Sequence, residues 1–461
     1  MASPANAHGE SGDDGRAVPA SDPAGVRRPD TGDTETALSL TEAAIALSDA
    51  LNLVGIEDAG HGKRVAFMAT EVGRAVGLSA DALETLFLSA LLHDCGVSSN
   101  RIFRKLTTNF DWEGSAEHCL AGHELLFGLP PLRSAASVVL HHHDRWDSPA
   151  RRETEADIAL LANAIFLADR TDVLCLALGH GDILESRAAV RDGIARRSKS
   201  YFAPELVAAF MEASLPEAFW LTLEPRHIEH FLQDALLAAR PGRIDARHLR
   251  QLAAIFARIV DAKSPFTARH SLGVARLARL LGGLLGMSAE VCDQLEIAGL
   301  LHDLGKLRVP DEVLEKPTAL DPAEFSTISR HSFETYQILR RLRPFRTLAV
   351  WASFHHESIS GRGYPFNRRG LEIPLPARAL AVADVFQALL QTRPYRPALR
   401  PDVALGMLRE MAKRGKLDPE IVETVARNLD ACREAAVEEP SSGAGVPGTA
   451  NGTSGELSPR D

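Results

Sequence analysis

The feature that most limits what this chain can fold into is that it repeats itself. LLHDCGVS at residues 91–98 and LLHDLGKL at residues 300–307 end two apolar runs on the same His-Asp pair. His61 lies 32 residues before His93, and His270 lies 32 residues before His302. Further along, His118 matches His331, the pair His142–His143 matches His355–His356, and Asp169 matches Asp384. The partners are separated by 209, 209, 213, 213 and 215 residues, so the copies differ only by small insertions. Self-similarity at a nearly fixed offset marks a duplication. It divides the chain near residue 235, in HFLQDALLAARPGRID.

Each copy has a helical pattern. SLTEAAIALSDALNLVG, RVAFMATEVGRAVG, ARHLRQLAAIFARIVDA and SLGVARLARLLGGLLG place apolar residues three and four apart, the period of one buried helix face. Ser79 and Ser288 stand where an N-cap is expected, ahead of two further apolar runs. No run alternates as a half-buried strand would. The expected class is all-α: two tandem helical domains, residues 37–235 and 236–433, with disordered termini. Residues 1–36 and 434–461 are rich in Gly, Pro, Ser and Ala without periodicity, which predicts disorder.

Composition narrows the function. No stretch approaches the roughly 18–20 apolar residues of a membrane span, and the N-terminus lacks the basic and apolar regions of a secretory signal. Cys95, Cys119, Cys175, Cys292 and Cys432 are scattered, as reduced thiols of a cytoplasmic protein are. A net charge of −10 argues against a DNA or RNA polymer as partner. Between Arg340 and Arg400, however, stand eleven arginines and only three acids, Glu357, Glu372 and Asp384. Arginine forks suit phosphate.

The second copy offers His270, His302, Asp303, His331, His355, His356 and Asp384. Five imidazoles and two carboxylates suit a pair of divalent transition metals. An aspartate beside a ligand histidine can bridge two ions, and such a pair activates a shared hydroxide for phosphoryl transfer.

Residues 245–432 resemble the HD-GYP family, a branch of the HD metal-dependent phosphohydrolases. The matching stretches are HDLGK (302–306), KPTALDPAEF (316–325), His331, HHESISGRGYP (355–365), IPLPARALAVADVFQAL (373–389) and RPYR (393–396). The resemblance implies hydrolysis of a cyclic dinucleotide, above all cyclic di-GMP, in bacterial signalling. The seven residues above would be ligands to two ions, iron or manganese, with Asp303 bridging them. Lys306 would contact phosphate, Gly363, Tyr364 and Pro365 would shape the loop beside the site, and Arg393 and Arg396 would hold substrate phosphates. Alternatives are a non-catalytic nucleotide sensor that binds a signalling protein, and another HD-type nucleotide phosphohydrolase. The chain departs from the family at Ser360, where aspartate is usual, and at Ile359, where an aromatic is common. Phe266 stands where three-metal members carry glutamate, which favours two metals, whereas Glu57 does precede His61 by four residues.

The first copy resembles an HD domain that kept its ligands and lost its substrate machinery. His61, His93, Asp94, His118, His142, His143 and Asp169 form a second candidate metal site. His142 and His143 open a stretch that retains Arg145, Trp146 and Asp147, but no Gly-Tyr-Pro follows. Val97 replaces Lys306, and Leu178 and Gly181 stand where Arg393 and Arg396 would be. The expectation is a metal-binding domain with a regulatory or structural role.

Overall fold

The computed structural model describes residues 38–53, 60–97, 99–108, 110–112, 114–178, 182–239, 246–263, 270–392 and 396–437. Among them there is no strand, and the chain is built of helices joined by turns. The two termini expected to be disordered lie outside the described residues, apart from the end of the last helix at 434–437. No described helix is long and apolar enough to cross a membrane.

The principal helices of the first half are α1 (Leu40–Leu51), α2 (His61–Ala75), α3 (Ala80–Leu92), α4 (Ser115–Phe127), α5 (Arg133–Leu140), α6 (Ala156–Leu178) and α7 (Pro225–Ala238). Those of the second half are α8 (Ala246–Ala262), α9 (His270–Leu284), α10 (Ala289–Leu301), α11 (Pro322–Ser329), α12 (His331–Leu339), α13 (Arg346–Ser353) and α14 (Leu375–Leu390). Their starts are written locally. Ser39 closes a capping box with Glu42, and Ser79 and Ser288 cap α3 and α10 through Ala82 N and Val291 N, both at 3.3 Å. These are the orphan amides that a helix start must satisfy. Helix α7 runs to Ala238, so the expected division near 235 falls in its last turn.

In each half the helix ending at the His-Asp pair packs against the helix beginning with the first histidine, α3 on α2 and α10 on α9. The long helices α6 and α14 lie across them. Large apolar side chains close the cores, with Phe166, Phe202 and Trp220 fully buried in the first half and Phe256, Phe345 and Phe386 in the second.

The halves meet by exchange of equivalent surfaces. Helix α1 touches α12 of the second half, and α8 touches α4, its counterpart in the first. The segments following the two His-Asp pairs also join. Ser99 Oγ donates to Asp311 Oδ2 at 2.8 Å, and Lys263 Nζ donates to Asn100 Oδ1 at 2.7 Å while lying 3.3 Å from Asp311 Oδ1. On the other flank Asp49 accepts from Arg341 of the second half at 2.6 Å and from the buried Lys63 of its own at 2.7 Å.

The glycine two residues after each Asp is needed for close approach. A Cβ on Gly305 would overlap the carbonyl oxygen of His331, and one on Gly96 would overlap that of His118. Each glycine therefore lets the third histidine's helix lie directly on the His-Asp turn. Gly305→Ala is expected to destabilise the fold by about 1–3 kcal/mol, as overpacking does, and to lower bound metal, read by denaturant midpoint and metal analysis. Gly96→Ala should match it in stability loss and lower the metal of the first half, with that of the second half retained.

Candidate active site

Six of the seven candidate ligands of the second half sit at or just beyond helix ends, which is why their wide sequence spacing converges. His270 is the first residue of α9, His302 caps the end of α10, Asp303 opens the short 3-10 turn Leu304–Arg308, and His331 is the first residue of α12. His355 and His356 follow α13, and Asp384 lies within α14. His270, His302, Asp303, His331, His355 and Asp384 are all buried.

Four of the rings are turned the same way. Nδ1 of His302, His331 and His355 donates to the carbonyls of Gly299, Ile328 and Ala352 at 2.7, 2.7 and 2.6 Å, each three residues back. His270 Nδ1 donates to Gln387 Oε1 at 2.5 Å. With Nδ1 occupied as a donor, Nε2 is left as the lone-pair nitrogen, the form a metal takes.

Asp303 lies between two sets of these nitrogens. Its Oδ2 is 3.6 Å from His270 Nε2 and 3.3 Å from His302 Nε2, and Asp384 Oδ1 is 3.3 Å from the same His270 nitrogen. Its Oδ1 instead faces His331 Nε2 at 3.5 Å and His355 Nε2 at 3.9 Å, with the His356 ring stacked 3.9 Å from that of His355. One carboxylate thus serves a His-His-Asp group on one side and a three-histidine group on the other. His302 Nε2 and Asp303 Oδ1 are buried with no hydrogen-bond partner. Orphaned buried polar atoms of this kind need an explanation, and borderline nitrogen and hard oxygen donors converging on two points fit divalent cations.

The electrostatics agree. Burial holds His331 down at about 4 and His355 at about 3, and pushes His356 well below its usual value, so these rings are neutral near pH 7. Burial opposes the charge on Asp303, but the His302 imidazole and the Lys306 ammonium outweigh it and hold the carboxyl well below its usual range. Burial likewise works against protonated His302, and the Asp303 charge beside it prevails and raises it.

Around this centre the substrate residues expected from sequence fare differently. Lys306 Nζ reaches Asp303 Oδ2 at 2.5 Å. Gly363 is required by space, because a Cβ there would press on the backbone of His356, Glu357 and Ser358. Glu357 organises the loop by accepting from Phe366 N at 2.7 Å and Arg368 N at 2.9 Å. The Tyr364 ring then lies 4.9 Å from that of His356, and Pro365 follows it in the turn. Burial, with the charges of Asp384 and Asp303, raises the Tyr364 phenol. Ser360, the departure from the usual aspartate, bonds Ser358 Oγ at 3.1 Å and donates its amide to Gly415 O at 2.9 Å. Ile359 takes part in the same loop, its carbonyl accepting from Gly370 N at 3.1 Å.

Arg396 is engaged by the main chain. Helix α14 ends at Leu390, and the Arg396 guanidinium turns back to donate to the carbonyls of Ala388, Leu389 and Pro397 at 2.8–3.1 Å. Arg393 lies outside the described residues, as do Phe266, Glu57 and Gly181. The arginine-rich stretch is also partly committed to ion pairs, Arg341 with Asp49, Arg378 with Asp418 and Arg400 with Asp402.

The first half reproduces the polar skeleton. Asp94 Oδ2 lies 3.7 Å from His61 Nε2 and 3.5 Å from His93 Nε2, while Oδ1 faces His118 Nε2 at 3.4 Å and His142 Nε2 at 4.0 Å. His143 stacks 4.4 Å from His142, and Asp169 Oδ1 is 3.4 Å from His61 Nε2. The main chain after the pair is the same too, since Val97 N and Lys306 N each donate to the preceding Asp carbonyl at 2.8 Å. Only the side chain differs. Val97 is buried and, with Phe103, lines a cavity of about 20 Å³ beside His61 and Asp94, room for roughly one water. Leu178 is exposed at the end of α6, and Trp146 and Asp147 pair their amides with Tyr201 and Ser200 carbonyls rather than building a signature loop. Arg145 meanwhile pairs with Asp147.

Three supporting residues were not anticipated. Asp172 accepts from His61 Nδ1 at 2.7 Å and is held by Arg64 at 2.6 and 2.8 Å; Gln387 is its counterpart on α14. Buried Arg170 grips Asp169 Oδ2 at 2.7 Å and the carbonyls of Leu106 and Phe110 at 3.1 Å. The signal for Asp172 and Gln387 was present: each lies three residues after the last ligand, on the same helix face.

Comparison with known proteins follows the duplication. HD domain models match residues 59–174 and 254–421. The chain is 35% identical to the 3'3'-cGAMP-specific phosphodiesterase 1 of Vibrio cholerae over 398 residues, 85% of this chain and 92% of that one. It is 38% identical over 199 residues to the cyclic di-GMP phosphodiesterase response regulator RpfG of Xanthomonas campestris, 42% of this chain and 52% of that one. Among solved structures, a cyclic GMP-AMP specific phosphodiesterase of V. cholerae superposes with a TM-score of 0.61 at 27% identity, covering 86% of this chain and 98% of that one. With both halves matched and a relative aligned along nearly its whole length, this chain belongs to the HD-domain family of metal-dependent phosphodiesterases, its second domain carrying the HD-GYP signature.

Proposed function

We propose that the second domain hydrolyses a 3′3′-cyclic dinucleotide, with cyclic GMP-AMP preferred, and that the first domain holds metal without turning over substrate. The observation that carries the catalytic reading is Asp303, whose two oxygens address two separate groups of imidazoles. His270, His302, Asp384 and Asp303 would hold one divalent cation, and His331, His355, His356 and Asp303 the other. Two such ions supply an activated water and stabilise charge on the attacking and leaving oxygens of a phosphodiester. Iron and manganese are the ions the motif resemblance favours. Lys306, whose ammonium rests on Asp303 Oδ2, is the group placed to meet negative charge on a phosphate held at this centre. Gly363 and Pro365 keep the loop tight enough for Tyr364 to face the same centre. Arg396 anchors the end of α14, and substrate capture by arginine falls to Arg393.

Cyclic GMP-AMP is preferred because the two relatives aligned over 92% and 95% of their own lengths, sharing the double-domain plan, bear that specificity in their names. Cyclic di-GMP, the nucleotide the motifs alone put first, is the second reading, favoured by matches confined to part of the chain such as the one to RpfG. The first domain carries Val97 where the second has Lys306, and so lacks an ammonium at that position. The domains are taken as 37–235 and 236–433, within a cytoplasmic signalling protein. Signalling partners would meet it on surfaces away from the metals.

In the full-length protein, Asp303→Asn should lower turnover of cyclic dinucleotides by about 10³-fold or more, the scale of removing a principal catalytic group. Metal analysis of the same variant should show the first domain's share retained; unchanged metal with unchanged turnover would remove the shared-carboxylate assignment. Lys306→Ala, read as kcat/KM, should cost a factor of roughly 10–100, as expected for a charged hydrogen-bond partner. The complementary change, Asp94→Ala, should reduce total bound metal yet leave hydrolysis within roughly threefold, since distant sites act independently. Loss of activity on a par with Asp303→Asn would place catalysis in the wrong half.

A further inference from the structure

Among the described residues, KPTALDPAEF, residues 316–325, makes no hydrogen bond to the candidate ligands or to the signature loop, yet its start is fixed by several bonds of its own. Asp321 Oδ1 accepts from Ala323 N at 2.8 Å and Glu324 N at 2.9 Å, and Asp321 N donates in return to Glu324 Oε2 at 2.8 Å. Pro322 occupies the first turn of α11, where its missing N–H is harmless. Lys316 Nζ then donates to both Glu324 oxygens, at 2.7 and 2.5 Å. A capping box, a proline and a bidentate lysine fix the start of an eight-residue helix. The residue they present is Phe325, which is 52% exposed.

Its neighbours say what the ring is for. Phe325 stands edge-on to Tyr364, ring centres 6.0 Å apart and planes at 88°. Tyr364 in turn lies 4.9 Å from ligand His356 and 6.4 Å from ligand His331. An aromatic corner thus runs from the candidate metal centre outward, its far face open to solvent. The first domain has an aromatic at the same distance from its third histidine, Trp112, six residues before His118. There the ring is covered: it packs on Gly114, and Lys105 Nζ sits 5.1 Å above it. At this position the more open ring is that of the domain carrying Lys306 and Tyr364.

We propose that Phe325 is a substrate-positioning residue whose exposed face stacks on a purine base of the cyclic dinucleotide while its phosphodiester lies at the metals. The inference rests on the cyclic-dinucleotide reading of this site and adds the base subsite to it. Stacking fits because every base has a π face and needs no matching hydrogen bonds, and because a rigid helix makes the ring a preformed platform. It also gives the motif a purpose: Lys316, Asp321 and Glu324 hold the platform and do no chemistry.

The test compares metal-loaded full-length protein with Phe325→Ala and Phe325→Trp on cyclic GMP-AMP, on cyclic di-GMP and on methyl 4-nitrophenyl phosphate, a diester with no base. Phe325→Ala should raise KM for the better cyclic dinucleotide about tenfold, with kcat and turnover of the small diester essentially unchanged, and Phe325→Trp should restore KM. A wild-type KM in Phe325→Ala overturns the stacking role, and so does an equal loss on the base-free diester, which would show that α11 merely supports the metal centre. Wild-type protein that turns over no cyclic dinucleotide overturns the substrate reading itself, and the stacking with it.

Discussion

One carboxylate between two groups of imidazoles is the constraint on which the rest of the second domain depends. Asp303 is buried and, with Asp384, faces nitrogens from α9, α10, α12 and the end of α13. Placing an anion there without compensation would be prohibitive, so the surrounding parts must arrive together and correctly turned. Main-chain carbonyls three residues back orient the rings, and Gly305 lets the third histidine approach. The helices are arranged less to fill a core than to bring their ends to one point.

The two halves show which parts of such a site can be separated. The skeleton of the first is nearly superimposable in its logic, down to the amide of Val97 and the split of Asp94 between two pairs of histidines. What changed is charge that can move. Lys306, a flexible ammonium resting on the shared carboxylate, is replaced by a buried valine, and fixed guanidiniums appear instead, Arg64 on Asp172 and Arg170 on Asp169. A site so neutralised is suited to keep what it binds. A site with a mobile cation is suited to exchange an ion pair for a phosphate.

Much of this was legible in the sequence because it depends on spacing. Helix periods, serine caps and the repeated offsets located the helix ends, and the histidine ligands are at or just past helix ends. Features that depend on where a chain turns were not legible. Helix α14 stops at Leu390, and the bonds of the Arg396 guanidinium to carbonyls near that end follow from a turn rather than from spacing. The arginine-rich stretch was read as a phosphate surface, but Arg341 and Arg378 found carboxylates 292 and 40 residues away in sequence, and no local pattern announces such partners. Arg170 was equally hidden, since its carbonyl partners lie 60 and 64 residues earlier.

The joint between the halves has its own consequence. Lys263, whose side chain is 1% exposed, divides its ammonium between Asn100 of one half and Asp311 of the other, and Ser99 completes the set. The turns that carry these groups are the ones leading away from the two His-Asp pairs. The first half thus owns part of a polar junction built around the buried Lys263, and a chain without that half would leave an ammonium inside the fold short of its partners. Duplication has made the two halves structural dependants of one another, whatever chemistry each carries out.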